Sequence, residues 1–110
     1  MSYNARKKVS LNEAKELIIN FYSRISDIDI NDIVFLGTSY EIIETGFYQG
    51  EEVKRVSYLT GHQFERLLTN ALLFRGYPVN HIDITVHDNE PSFTVYYSLV
   101  EDFKRTRKHK

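Results

Sequence analysis

Residues 60–78 read Thr-Gly-His-Gln-Phe-Glu-Arg-Leu-Leu-Thr-Asn-Ala-Leu-Leu-Phe-Arg-Gly-Tyr-Pro and contain a complete helix with both of its ends. Thr60 and Gln63 form a capping box, in which the Thr60 hydroxyl accepts from the Gln63 N–H and the Gln63 side chain answers the Thr60 N–H. Phe64, Leu67, Leu68, Ala71 and Leu72 then recur at three- and four-residue intervals, one apolar stripe aimed at a core. Gly76 suits the left-handed position that closes a helix, and Pro78 blocks its continuation.

On the C-terminal side, Ile82, Ile84 and Val86 alternate with His81, Asp83, Thr85 and His87, the period of a strand with one apolar face. The turn Asp88-Asn89-Glu90-Pro91-Ser92 leads into a second alternation, Phe93, Val95, Tyr97 and Leu99 against Thr94, Tyr96 and Ser98. On the N-terminal side, Ile33–Leu36, Tyr40–Tyr48 and Val53–Leu59 are rich in β-branched and aromatic residues, with a hairpin turn expected at Gln49-Gly50-Glu51-Glu52. Before them, Ser10-Leu11-Asn12-Glu13 is another capping box, followed by the stripe Leu11, Ala14, Leu17, Ile18, Phe21, Tyr22 and Ile25. The expected fold is α+β: two amphipathic helices on a mainly antiparallel sheet of four or five strands, in the order α-β-β(-β)-α-β-β. Each half resembles an α-β-β unit, but the halves share no residue pattern that would mark a repeat.

A chain of 110 residues is one domain's worth. The absence of cysteine excludes disulfides, thiolate metal sites and a cysteine nucleophile. The apolar runs are too short to span a bilayer, and Asn12, Glu13, Lys15 and Glu16 interrupt any signal-peptide core, so a cytoplasmic protein without membrane attachment is expected.

A net charge of -1 conceals strong segregation. Residues 1–8 carry Arg6, Lys7 and Lys8 without an acid, and residues 104–110 carry Lys104, Arg105, Arg107, Lys108 and Lys110 without an acid. All 15 Asp and Glu residues fall in 9–103, where only six basic residues accompany them. The expected organisation is a basic N-terminal arm (1–8), a single acidic α+β domain (9–103) and a basic C-terminal tail (104–110).

Motifs for catalysis are missing: there is no phosphate-binding glycine loop, dinucleotide fingerprint, zinc-protease helix or nucleophile elbow. Asp27-x-Asp29-x-Asn31 starts like a calcium loop, but Asp32 and Thr38 stand where such a loop needs its glycine and its bidentate glutamate. His81 and Asp83 share a strand face, at a spacing that admits a metal only with a third ligand from a neighbouring strand. Arg55 and His62 have the R-x6-H spacing that resembles the ribonuclease motif of HEPN domains, yet here it runs from a strand into a helix cap rather than along a helical bundle. No catalytic residue, metal site or cofactor is assigned.

Binding is the remaining class. Basic arms gain counterion-release free energy on phosphates, so Arg6, Lys7, Lys8, Lys104, Arg105, Arg107, Lys108 and Lys110 are the expected nucleic-acid contacts. Tyr96, on a polar strand face with Thr94 and Ser98, is the aromatic residue best placed to stack on a base. The expectation is a small non-enzymatic regulatory or accessory protein contacting RNA or DNA through its arms. One alternative is a protein-interaction module or inhibitor that offers its acidic core (Glu41, Glu44, Glu51, Glu52, Asp83, Asp88, Glu90) to a basic protein partner. A small hydrolase or nuclease without a recognised motif is the third. Open sheet edges would also admit a homodimer.

Overall fold

The computed structural model describes residues 3–99. In chain order the elements are β1 (Tyr3–Ser10), α1 (Leu11–Ile25), β2 (Asp29–Phe35), β3 (Ser39–Tyr48), β4 (Glu51–Thr60), α2 (Gly61–Phe74), β5 (Val79–His87) and β6 (Glu90–Leu99). Both helices begin on the expected capping boxes, at Ser10 and Thr60, with every reciprocal hydrogen bond in place. Gly76 adopts φ +94, and the two-residue turns Gln49-Gly50 and Asp88-Asn89 have positive φ throughout, as tight hairpins that follow the strand twist require.

The α+β class and the single domain hold, but the strands differ from expectation. Among the described residues there are two three-stranded antiparallel sheets, ordered β1-β6-β5 and β2-β3-β4, where one sheet of four or five strands was expected. The additional strand is β1, formed by the basic segment expected to be an arm outside the fold. Its charges obscured an alternation: Val9 is buried and Lys7 half-buried, whereas Asn4, Arg6 and Lys8 are exposed. A strand needs only one apolar face, and backbone pairing with all of β6 from Ser92 to Leu99 supplies the rest. The tail 104–110 lies outside the described residues.

With β1 in place the chain is a duplicated β-α-β-β unit. β1-α1-β2-β3 and β4-α2-β5-β6 are the halves, and the first strand of each pairs with the last strand of the other. The registers superimpose residue for residue. Ser10 faces Ser92 as Thr60 faces Ser39, Val9 faces Phe93 as Leu59 faces Tyr40, and Ile82 faces Val95 as Ile33 faces Ile42. Both β2 and β5 shift register at an asparagine, Asn31 and Asn80. Each asparagine donates to a hydroxyl of the adjacent strand, Thr45 and Ser98 respectively. The repeat lies in caps, bulges and pairing rather than in residue identity.

Each sheet buries one face. Val9, Ile82, Phe93 and Val95 from one, and Ile30, Ile33, Tyr40 and Ile42 from the other, join Ala14 and Ile18 of α1 and Phe64, Leu68, Ala71 and Leu72 of α2 in one continuous core. At its centre Phe64 stacks on Tyr40, ring centroids 3.8 Å apart and planes 7° from parallel, and touches Phe93 at 5.7 Å. The helices cover this face of both sheets and leave the opposite, outer face of each to solvent.

Candidate nucleic-acid interface

The outer face of β1-β6-β5 gathers three of the sequence candidates, Arg6, Lys8 and Tyr96. Because alternate residues of a strand point to opposite faces, the buried Val9 fixes Arg6 and Lys8 on the outer side of β1. Pairing aligns Arg6 with Tyr96 and Tyr96 with His81, forming one row across three strands. The next row is Lys8, Thr94 and Asp83. The His81 and Tyr96 rings stack with centroids 5.8 Å apart, and the imidazole Nε2 is hydrogen-bonded to Asp83 Oδ1. Thr85 with Ser92, and Asn80 with both Asn4 and Ser98, cross-link the remainder of the face. Arg6 and Lys8 form no ion pair with any carboxylate of the described residues.

Lys7 belongs elsewhere. Its stem lies on the helix side, with Nζ 3.5 Å from the Tyr77 hydroxyl and 4.6 Å above the Tyr77 ring. The structure thus brings together Arg6, Lys8 and Tyr96, removes Lys7 from that set and adds His81. Lys104, Arg105, Arg107, Lys108 and Lys110 lie outside the described residues. The alternation of residues 81–87 already carried the signal for His81; its meeting with Tyr96 depends on a register that no local pattern encodes.

The other candidates separate. His81 and Asp83 satisfy one another, and no group of three metal-ligating side chains exists among the described residues. His62 is exposed in the first turn of α2, with Nδ1 3.9 Å from Glu65, while Arg55 is paired with Glu44 at 3.0 Å. The acidic residues do not form one surface. Glu44 is buried on the helix side, Asp83 is on the outer face of the first sheet, and register places Asp29, Glu41 and Glu52 on the outer face of the second with Lys54. No helix among the described residues is long and apolar enough to cross a membrane.

The architecture defines an internally duplicated α+β domain with two solvent-facing sheet surfaces, one displaying Arg6 and Lys8 beside a stacked aromatic pair. The chain matches no protein-family model, no curated protein and no solved structure.

Proposed function

We propose that the protein is a small non-enzymatic accessory protein that binds single-stranded RNA or DNA on the outer face of the β1-β6-β5 sheet. The observation that carries this reading is the antiparallel pairing of β1 with β6, which sets Tyr3 opposite Leu99. The first basic segment thereby lies on the strand that pairs with β6, the last described strand of the chain. Arg6 and Lys8 supply phosphate partners on that sheet, and the chain continues from Leu99 toward Lys104, Arg105, Arg107, Lys108 and Lys110. In the row of Arg6, Tyr96 and His81 offer ring faces. Cationic tracks interleaved with aromatic platforms suit an unpaired strand, whose bases are free to stack, better than a duplex. The exposed polar row gives this sheet a different character from its counterpart, where the corresponding positions hold Val56, Ile43 and Asp32.

The test is fluorescence anisotropy with labelled oligo-uridine and oligo-thymidine, titrated with the intact chain at several salt concentrations. Binding that falls steeply with salt and is lost on combining Arg6→Ala, Lys8→Ala and removal of residues 104–110 is the expected result. No binding at low salt, or binding indifferent to that combined change, would sink the reading.

A second reading rests on the outer face of β2-β3-β4, where Phe47, Val56 and Tyr58 are 76%, 50% and 63% exposed beside Glu41 and Glu52. An apolar strip with an acidic border suits a basic protein surface. Capture of a basic protein that survives nuclease treatment and is lost on Tyr58→Ala would favour it.

A further inference from the structure

A cleft of about 690 Å³ opens on the helix side of the β3-β4 hairpin, lined by Ile28, Glu44, Gly46, Phe47, Val53 and Arg55. Its location follows from alternation, since Glu44 and Gly46 continue the face of β3 that begins with the buried Tyr40 and Ile42. The duplication shows what the same place holds in the other half. Counted from the helix C-caps Ser26 and Arg75, Ile28 corresponds to Tyr77. By register, Glu44 corresponds to Tyr97, Gly46 to Leu99 and Ser57 to Lys7. At the β1-β6-β5 sheet Tyr77 and Tyr97 pack edge to face at 5.0 Å, and the Lys7 ammonium lies 4.6 Å over the Tyr77 ring. At the β2-β3-β4 sheet two rings, a leucine and an ammonium are replaced by an isoleucine, a carboxylate, a glycine and a serine. Ile28, Glu44 and Gly46 line the cleft at the positions that Tyr77, Tyr97 and Leu99 hold in the other sheet.

We propose that this cleft is a docking site for a linear peptide segment of a partner protein that presents an aromatic side chain next to a lysine or arginine. Ile28, Val53 and Gly46 form an apolar floor for the ring. Asp27 and Glu44 supply negative charge against the single cation Arg55, whose guanidinium is already engaged by Glu44 at 3.0 Å. An incoming cation therefore meets a net negative site, as Lys7 meets the electron-rich face of Tyr77 at the other sheet. The size lies within the range of specific ligand sites. The far side of β4 pairs with no strand among the described residues, so an extended segment can add to that edge while its side chain enters beside Val53. This site lies on a different sheet and the opposite face from the nucleic-acid surface, and its occupancy does not depend on that reading.

The experiment titrates the ¹⁵N-labelled full chain with N-acetyl-Gly-Phe-Lys-Gly-amide and follows amide shifts. Saturable shifts at Ile28, Gly46 and Val53 are expected, with affinity about tenfold weaker when Glu replaces Lys or Ala replaces Phe, a loss equivalent to about 1.4 kcal/mol. Ile28→Tyr and Gly46→Leu install the residues of the other half. A Cβ at Gly46 lies in ordinary contact, 3.7 Å from Ile28 Cγ1, and the cleft leaves room beyond it, so both variants should fold and abolish the shifts. Arg6→Ala with Lys8→Ala should leave them unchanged. Absence of saturable shifts, an equal response to the Glu peptide, or binding retained in the filled variants would overturn the proposal. So would cleft signals that move with protein concentration alone, because the occupant would then be a second copy of the chain.

Discussion

Asn31 and Asn80 occupy the same position in the two halves, each at a register shift and each donating its side-chain amide to a hydroxyl of the next strand. They are not equal in reach. Asn31 ties β2 to β3 through Thr45, whereas Asn80 meets both Ser98 of β6 and Asn4 of β1, linking all three strands of its sheet. Exposed neutral hydrogen bonds contribute about 0.5–1.5 kcal/mol each. Asn31→Ala should therefore cost about 1 kcal/mol and Asn80→Ala more, read as lower urea midpoints with unchanged slopes. Equal costs would deny the three-strand role of Asn80.

The capping boxes are equivalent in the same way. Ser10 accepts from Glu13 N–H at 3.1 Å and Thr60 from Gln63 N–H at 3.1 Å, with each return bond formed. Ser10→Ala and Thr60→Ala should each destabilise by about 1 kcal/mol, and Ser10→Asp should be nearly neutral. Thermal melts of the three variants check this directly.

Burial pushes the Tyr40 hydroxyl up to about 12 from its ordinary value of 10.0. The neutral phenol is the form the fold prefers. Its contribution is complete below pH 10, where an unfolded tyrosine stays protonated, and is lost as pH rises toward 12. That loss is on the order of 2 kcal/mol. Tyr40→Phe keeps the ring on Phe64 and has no proton to lose. Stability of the variant measured from pH 9 to 12 should fall less than that of the parent chain, and parallel curves would refute the assignment.

The elements legible in the sequence were those whose signals are local. The Thr60 and Ser10 caps, the Gly76 stop and the alternations 81–87 and 93–99 each need only a few neighbouring residues, and all lie where that chemistry put them. What was not legible depended on pairing at long range. Residues 4–10 carry one buried apolar residue, Val9, and three consecutive cations, so their strand exists because β6 is there to pair with. The duplication was hidden for a related reason: bulge and register are conserved between the halves while side chains are exchanged, Tyr97 for Glu44 and Lys7 for Ser57. For the candidate site, Tyr96 was legible from alternation, but its row with Arg6 and His81 is a product of register.

Lys7 and Lys8 are neighbours in sequence on opposite faces of β1, so they separate a strand-borne interface from a merely basic segment. If nucleic acid lies on the outer face, Lys8→Ala should reduce the slope of log affinity against log salt by about one contact. Lys7→Ala should leave that slope unchanged, since its ammonium is committed to Tyr77 on the other side. It should instead lower stability modestly, by roughly 0.5–1 kcal/mol, through loss of the cation–π contact. A disordered arm would treat the two lysines alike. Anisotropy titrations of both variants across salt, paired with their melting curves, decide between the two: a shared loss of slope means a flexible basic segment, and a divided response means that β1 presents its charges from within the sheet.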